Sequence, residues 1–245
     1  VIGVLTAIHV VGLGPGRIVQ NLLAGLKVTV LVGFVVLGFT IGDGSAENFT
    51  MPSPPIEPTM WLLALIPIMF SFSGWNAAAY VAEEMRDPGR NVPIAMVLGT
   101  STVVMIYLLL NLLYVFAIPV ADLGGIEARV IDEAGGRLFG SEVAVPLAAA
   151  SAVMVAASIS AMILSGPRIY YAMARDGLFF TAAGWVHPTF RTPVTAIIAQ
   201  SAWSGVLVLA GTFNQLLLYT GFAVVMFSGA AVAALFVLRR THPDA

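Results

Sequence analysis

Phe70-Ser71-Phe72-Ser73-Gly74-Trp75-Asn76 is the stretch of this chain best suited to bind a small polar molecule. It lies inside an apolar segment long enough to cross a bilayer. Yet it is built from poor helix formers, and glycine alone costs about 1 kcal/mol relative to alanine. Lipid offers no hydrogen-bond partners, so a spanning backbone must satisfy itself. A break is tolerated where it opens onto protein or a water-filled cavity, and transporters bind substrate at such breaks near the midplane. Freed carbonyls there would accept from an ammonium group. Freed N–H groups at the end of a half-helix would hold a carboxylate. The same small residues also serve simply to let helices pack closely, and residue type does not decide between the two.

Lys27 is the second candidate. It follows Arg17 by ten residues, roughly 15 Å along a helix. That depth puts it near mid-bilayer among Leu26, Val28, Val30 and Leu31. A central lysine costs several kcal/mol unless paired or in a polar cavity. Burial disfavours the charged form of a lysine in general, so one whose charge follows conformation would be a coupling element. The competing reading is a side chain that snorkels to the interface. Glu83 and Glu84 close the same apolar segment, with Arg86 and Arg90 nearby and Arg168 at similar depth on another helix. They would form a cytoplasmic gate of ion pairs, or only a solvated charged end of little energetic weight. Trp75 and Phe70 would act as gates or as packing. His9, His187 and His242 have no partner at metal-ligand spacing, and neither a nucleophile elbow nor a phosphate-binding loop is present. No cofactor or metal is expected, and catalysis has little support.

The elements that must position these residues are set by composition. Apolar residues make up 59% of the 245 and charged residues 10%, with mean hydropathy +0.94. A soluble domain carries about 25% charged residues, so this is an all-α integral membrane chain. Its net charge of −2 gives no reason to expect nucleic acid, and without cysteine it forms no disulfide. Val1 opens in an apolar run, which reads as the interior of a longer protein. Apolar runs of about 20 residues give a stub over 1–12, broken by Gly14-Pro15-Gly16, and helices over about 17–41, 60–84, 92–118, 143–174, 193–211 and 214–238. A polar, Pro-rich loop covers 43–59, and an acidic loop covers 119–142. Arg17, Arg86, Arg90, Arg168, Arg175, Arg191, Arg239 and Arg240 fall at one set of ends. Only Arg129 and Arg137 fall at the other, among eight carboxylates. Positive residues stay inside, so the ends at Arg17, Arg86–Arg90, Arg175–Arg191 and Arg239–Arg240 are expected to be cytoplasmic.

The residues from Phe70 to Pro93 (FSFSGWNAAAYVAEEMRDPGRNVP) closely resemble the sixth helix and following loop of the amino acid/polyamine/organocation permeases, in their L-type amino acid transporter branch. Val19-Gln20-Asn21 with Lys27, Arg168 to Gly177, His187-Pro188, Arg191-Thr192-Pro193, and Leu238-Arg239-Arg240 with Pro243-Asp244 continue the resemblance in order. It implies the leucine-transporter fold: the end of helix four, helix five, and the complete second five-helix repeat, with a discontinuous helix six. It further implies sodium-independent secondary transport of amino acids across the plasma membrane by alternating access, either proton-coupled or by exchange. Phe70 resembles the gating aromatic. Ser71, Phe72 and Ser73 resemble carbonyl donors to the substrate amino group, and Gly74, Trp75 and Asn76 continue the cradle. Lys27 resembles a lysine standing where sodium-coupled relatives bind an ion, with Ser158 as its neighbour on helix eight. The implied partners are an amino acid, membrane lipid and the first-repeat helices that this chain lacks. An accessory subunit is left open. Two positions depart: His9 stands where many members have asparagine, and Phe222 and Val224 are apolar where some relatives carry asparagine. The latter favours a neutral or apolar substrate side chain. A polyamine or other amine permease, a non-transporting sensor and an intramembrane enzyme are the alternatives. The enzyme would need a polar catalytic pair at matched depth, and Lys27 with serines is all the chain offers.

Overall fold

A computed structural model describes residues 1–52, 57–74, 77–82, 85–126 and 129–241. Trp75, Asn76, Glu83, Glu84, Glu127, His242, Pro243 and Asp244 lie outside the described residues. Within them the regular structure is helical: α1 (Ile2–Val11), α2 (Leu13–Ile41), α3 (Pro58–Ser71), α4 (Ala77–Tyr80), α5 (Pro88–Ala117), α6 (Val120–Leu123), α7 (Val130–Phe139), α8 (Ala144–Arg175), α9 (Val194–Ala210) and α10 (Phe213–Thr241), with short 3-10 turns between. The helices around α2, α5, α8 and α10 are long and apolar enough to cross a membrane. At 17 residues, α9 lies at the lower limit for a span. The 14 residues of α3 fall short of it.

The side chains explain why these helices need lipid. No described side chain of α3 is buried, and Trp61, Leu62 and Leu63 are each more than 60% exposed. Apolar surface on that scale is not stable against water. Where α5 meets protein it shows a single stripe, Ile106, Leu110, Leu113 and Ala117, at the three-to-four-residue spacing of one helix face.

Three boundaries differ from the sequence reading, each for a local reason. The chain breaks at Gly12, not at Gly14-Pro15-Gly16. Gly12 takes φ 151°, a region open mainly to glycine. Pro15 falls in the first turn of α2, where a missing N–H has no helical partner to lose. Helix α5 starts at Pro88 rather than near Val92: the Asp87 carbonyl already accepts from the Arg90 and Asn91 amides. The acidic loop contains α7, an amphipathic helix that Gly135-Gly136 disguises in the sequence. Its Ala134 and Leu138 join a core with Phe34 and Val35 of α2 and the α5 stripe. Its outward face carries Asp132, Glu133 and Arg137.

The described chain forms two compact units. The first holds residues 1–54 and 77–202, and the second residues 55–76 and 203–245, so the boundary falls within α9. In the first, the α2–α5–α7 core is joined by a smaller cluster of Leu5, Ile163 and Ile197, which ties α1, α8 and α9 together. In the second, α3 packs on α10.

Leu113 is fully buried, and its methyl groups sit so close to Gly38 that a Cβ there would come within 2.6 Å. Leu113→Ala should therefore cost about 2 to 5 kcal/mol. Its neighbour Leu112, 49% exposed, should change stability by less than about 0.5 kcal/mol on the same substitution. Thermal unfolding in detergent compares the two.

Candidate functional site

Helix α3 stops at Ser71, part-way through the apolar segment. Three features act together. Pro67 removes one helical donor four residues before the end. The Ser71 hydroxyl donates to the Ile68 carbonyl at 2.7 Å, competing with the backbone ladder. The Ser73 amide then turns back to the Phe70 carbonyl at 3.0 Å, a tighter turn than the α-helix makes. Gly74 follows at φ 93° with open space where a side chain would project. Of the seven residues singled out in the sequence, Phe70 to Gly74 thus lie at the helix end and in the turn after it. Pro67 is a signal the sequence reading passed over. The half-buried Phe70 ring reaches Gly221 of α10 within the same unit.

Lys27 and Ser158 are brought together. The Lys27 Nζ donates to Ser158 Oγ at 3.1 Å, and Ser158 donates in turn to the Met154 carbonyl at 3.1 Å. The lysine is half-buried and the serine exposed.

Arg168, read from the sequence as part of a cytoplasmic gate, is buried. It lines a small cavity with His9, Gly12, Thr192, Pro193 and Ile197. His9 is 3% exposed and hydrogen-bonded through Nε2 to Ser160 Oγ at 2.9 Å. Thr192 closes the cavity by donating to the Val10 carbonyl at 2.9 Å. The loop that presents Thr192 is tied by His187, whose Nδ1 accepts the Thr189 and Phe190 amides. Its amide donates to the Thr192 carbonyl and its carbonyl accepts from Arg191. The sequence gives no sign of the His9–Ser160 bond, because Ser160 lies 151 residues from His9.

The two arginines that stood apart from the charge pattern are both neutralised. Arg129 pairs with Asp132 at 2.8 Å. Arg137 pairs with Glu133 at 3.0 Å and Asp122 at 3.5 Å. The hydrogen bond that Arg137 donates to Glu133, with Asp122 beyond it, holds the Arg137 guanidinium even more firmly protonated than usual. Among the described residues no cluster of three His, Asp or Glu side chains converges on one point.

An apolar helix that stops at Ser71, a lysine in an apolar helix bonded to a serine, and a tied His-Pro/Arg-Thr-Pro loop now stand in one chain. Residues 1–245 match the amino acid permease family along their full length. The chain belongs to that family. It is therefore a chain of a multi-pass membrane protein of the leucine-transporter fold, in a family of transporters and not of enzymes. It is 26% identical over 98% of its length to b(0,+)-type amino acid transporter 1 of Mus musculus, of which it covers 50%. It is 28% identical over 96% of its length to the serine/threonine exchanger SteT of Bacillus subtilis, covering 54%. It is 28% identical over 81% of its length to large neutral amino acids transporter small subunit 2 of Mus musculus, covering 36%. The permease chain thus spans about half the length of the first two relatives.

Thr192 is 1% exposed, so removing its hydroxyl strands the Val10 carbonyl. Thr192→Val should cost about 1 to 3 kcal/mol, and Thr192→Ser much less. Unfolding midpoints of the two variants check this.

Proposed function

We propose that the protein carrying this chain exchanges neutral amino acids across the plasma membrane without sodium, by alternating access. The observation that carries the reading is the end of α3 at Ser71, inside an apolar segment of a permease. In lipid such an end is stable only if something satisfies the backbone it frees. A zwitterion does so, its ammonium meeting the carbonyls of Ser71, Phe72 and Ser73. Gly74, Trp75 and Asn76 extend the cradle and Phe70 covers it. Exchange is favoured because SteT, a relative over nearly the whole chain, is named as an exchanger. A neutral substrate is favoured by the apolar Phe222 and Val224 and by relatives named for serine, threonine and large neutral amino acids.

In this reading α1 ends the family's fourth helix and α2 is the fifth. The segment of α3 and α4 is the broken sixth, and α5, α8, α9 and α10 are the seventh to tenth. The remaining helices of the site come from the part of the family's length that the chain does not cover. The ends at Arg17, Arg86–Arg90, Arg175–Arg191 and Arg239–Arg240 face the cytoplasm. The bias of eight arginines against two, Arg129 and Arg137, supports this. Lys27 is the coupling residue, its bond to Ser158 standing where other members of the fold use an ion. Glu83 and Glu84 form the cytoplasmic gate, and buried Arg168 anchors the base of α8 behind it.

Uptake of labelled amino acids by the full-length protein in proteoliposomes tests the function. Uptake should need a neutral amino acid inside the vesicle and be indifferent to sodium. Uptake into empty vesicles driven by a proton gradient would make the protein a proton symporter instead, and no uptake of any amino acid would remove the reading. Lys27→Ala should lower exchange about 5- to 150-fold, the usual range of a coupling free energy, while the protein still inserts. Gly74→Val should weaken substrate binding at least about tenfold, because a β-branched residue at positive φ is strained by about 1 to 3 kcal/mol and its side chain occupies the cradle. Unchanged apparent affinity in that variant would put the site elsewhere.

A further inference from the structure

Gly16, Val19, Leu23 and Lys27 recur every three or four residues, a single stripe down α2. In the middle of the stripe, Val19 and Leu23 pack with Leu5, Ile159 and Ile163 of α1 and α8. At its far end Lys27 meets Ser158. At its near end the stripe rests on a ring, not on α8 itself. A Cβ on Gly16 would lie 2.6 Å from His9 Nδ1 and 3.1 Å from Cε1. The opposite nitrogen of the same ring is bonded to Ser160, two residues beyond Ser158.

We infer that His9 is a positioning residue: its ring, wedged between Gly16 of α2 and Ser160 of α8, sets the register in which Lys27 reaches Ser158. Three helices converge on one imidazole. Its face fixes how closely α2 approaches, and its Nε2 fixes the position of α8. Gly16 has no side chain because the ring fills that space. The Lys27–Ser158 bond is one contact between a long flexible side chain and an exposed hydroxyl, too weak by itself to hold two helices in register. The buried His9–Ser160 bond and the apolar residues between supply the constraint. Leu5 and His9 bring α1 into the same packing, and Thr192 holds its last turn through Val10. The link to transport rests on Lys27 as the coupling residue; the wedge itself does not.

Lys27 is the one lysine in the chain, so its labelling by an amine-reactive probe, read on its peptide by mass spectrometry, reports its seat without any transport. The experiment uses the full-length protein. His9→Ala should speed labelling of Lys27 about threefold, the equivalent of one interhelical hydrogen bond in a membrane at about 0.6 kcal/mol. His9→Gln, whose amide reaches the place of Nε2, should label like the wild type. Gly16→Ala should speed labelling in the His9 protein and add nothing in the His9→Ala protein, because the groups act as one. In proteoliposomes His9→Ala should lower turnover per inserted molecule and leave KM unchanged. A purely structural histidine would instead lower the amount of folded protein and leave turnover per molecule alone. If His9→Ala does not fold, Ser160→Ala removes the bond, keeps the ring and should give the same labelling. Unchanged labelling in His9→Ala or Ser160→Ala, a His9→Gln protein as fast as His9→Ala, or additive effects of Gly16→Ala and His9→Ala would each overturn the wedge. If the wild type exchanges no amino acid, the proposed function falls while the labelling still decides the wedge.

Discussion

Inside a bilayer every peptide group must find its partner within the protein, and that single constraint organises this permease chain. It makes α2, α5, α8 and α10 long continuous helices, whose ladders lose a donor inside the helix at Pro93 and Pro167. It also makes the end of α3 at Ser71 costly unless that end has a purpose. Pro67, Ser71 and Gly74 act at successive turns to stop the ladder where lipid cannot replace it. The chemistry proposed for the chain follows from that stop, because peptide groups released from a helix are what a zwitterion can bind.

A second constraint is the cost of charge. Eleven basic residues serve the whole chain, and their placement is orderly. Most arginines lie at helix ends, and two others are paired with carboxylates around α7. Lys27 is bonded to a serine of α8, and Arg168 is buried beside His9 at the foot of α8. The buried polar groups near α1, among them His9, Ser160 and Thr192, are joined by hydrogen bonds across sequence separations of more than 100 residues. Such bonds are what fix a unique packing among helices whose apolar faces would otherwise slide.

Long apolar runs made the helical membrane character legible from the sequence, because the length of a run is a local property. The end of α3 near Ser71 was legible for the same reason: the low helix propensity of Ser71, Ser73 and Gly74 is written into each residue. The pairing of Lys27 with Ser158 came only from the family resemblance. Nothing in the residues around either one points to the other. Helix α7 was not read because ten residues with two glycines give a weak period, and its apolar face has meaning only against α2 and α5. The burial of Arg168 and the bond from His9 to Ser160 were invisible for a related reason: both depend on how α1, α8 and α9 meet, a matter of tertiary packing.

Hydrogen–deuterium exchange of the backbone amides from 58 to 82 in the full-length protein, in nanodiscs, tests the central claim most directly. The account predicts protection along α3 up to Ser73, whose amide bonds to the Phe70 carbonyl, fast exchange at Gly74, and slower exchange there when a neutral amino acid is added. Continuous protection through Gly74 that no amino acid alters would mean that the helix runs on and that the site does not exist.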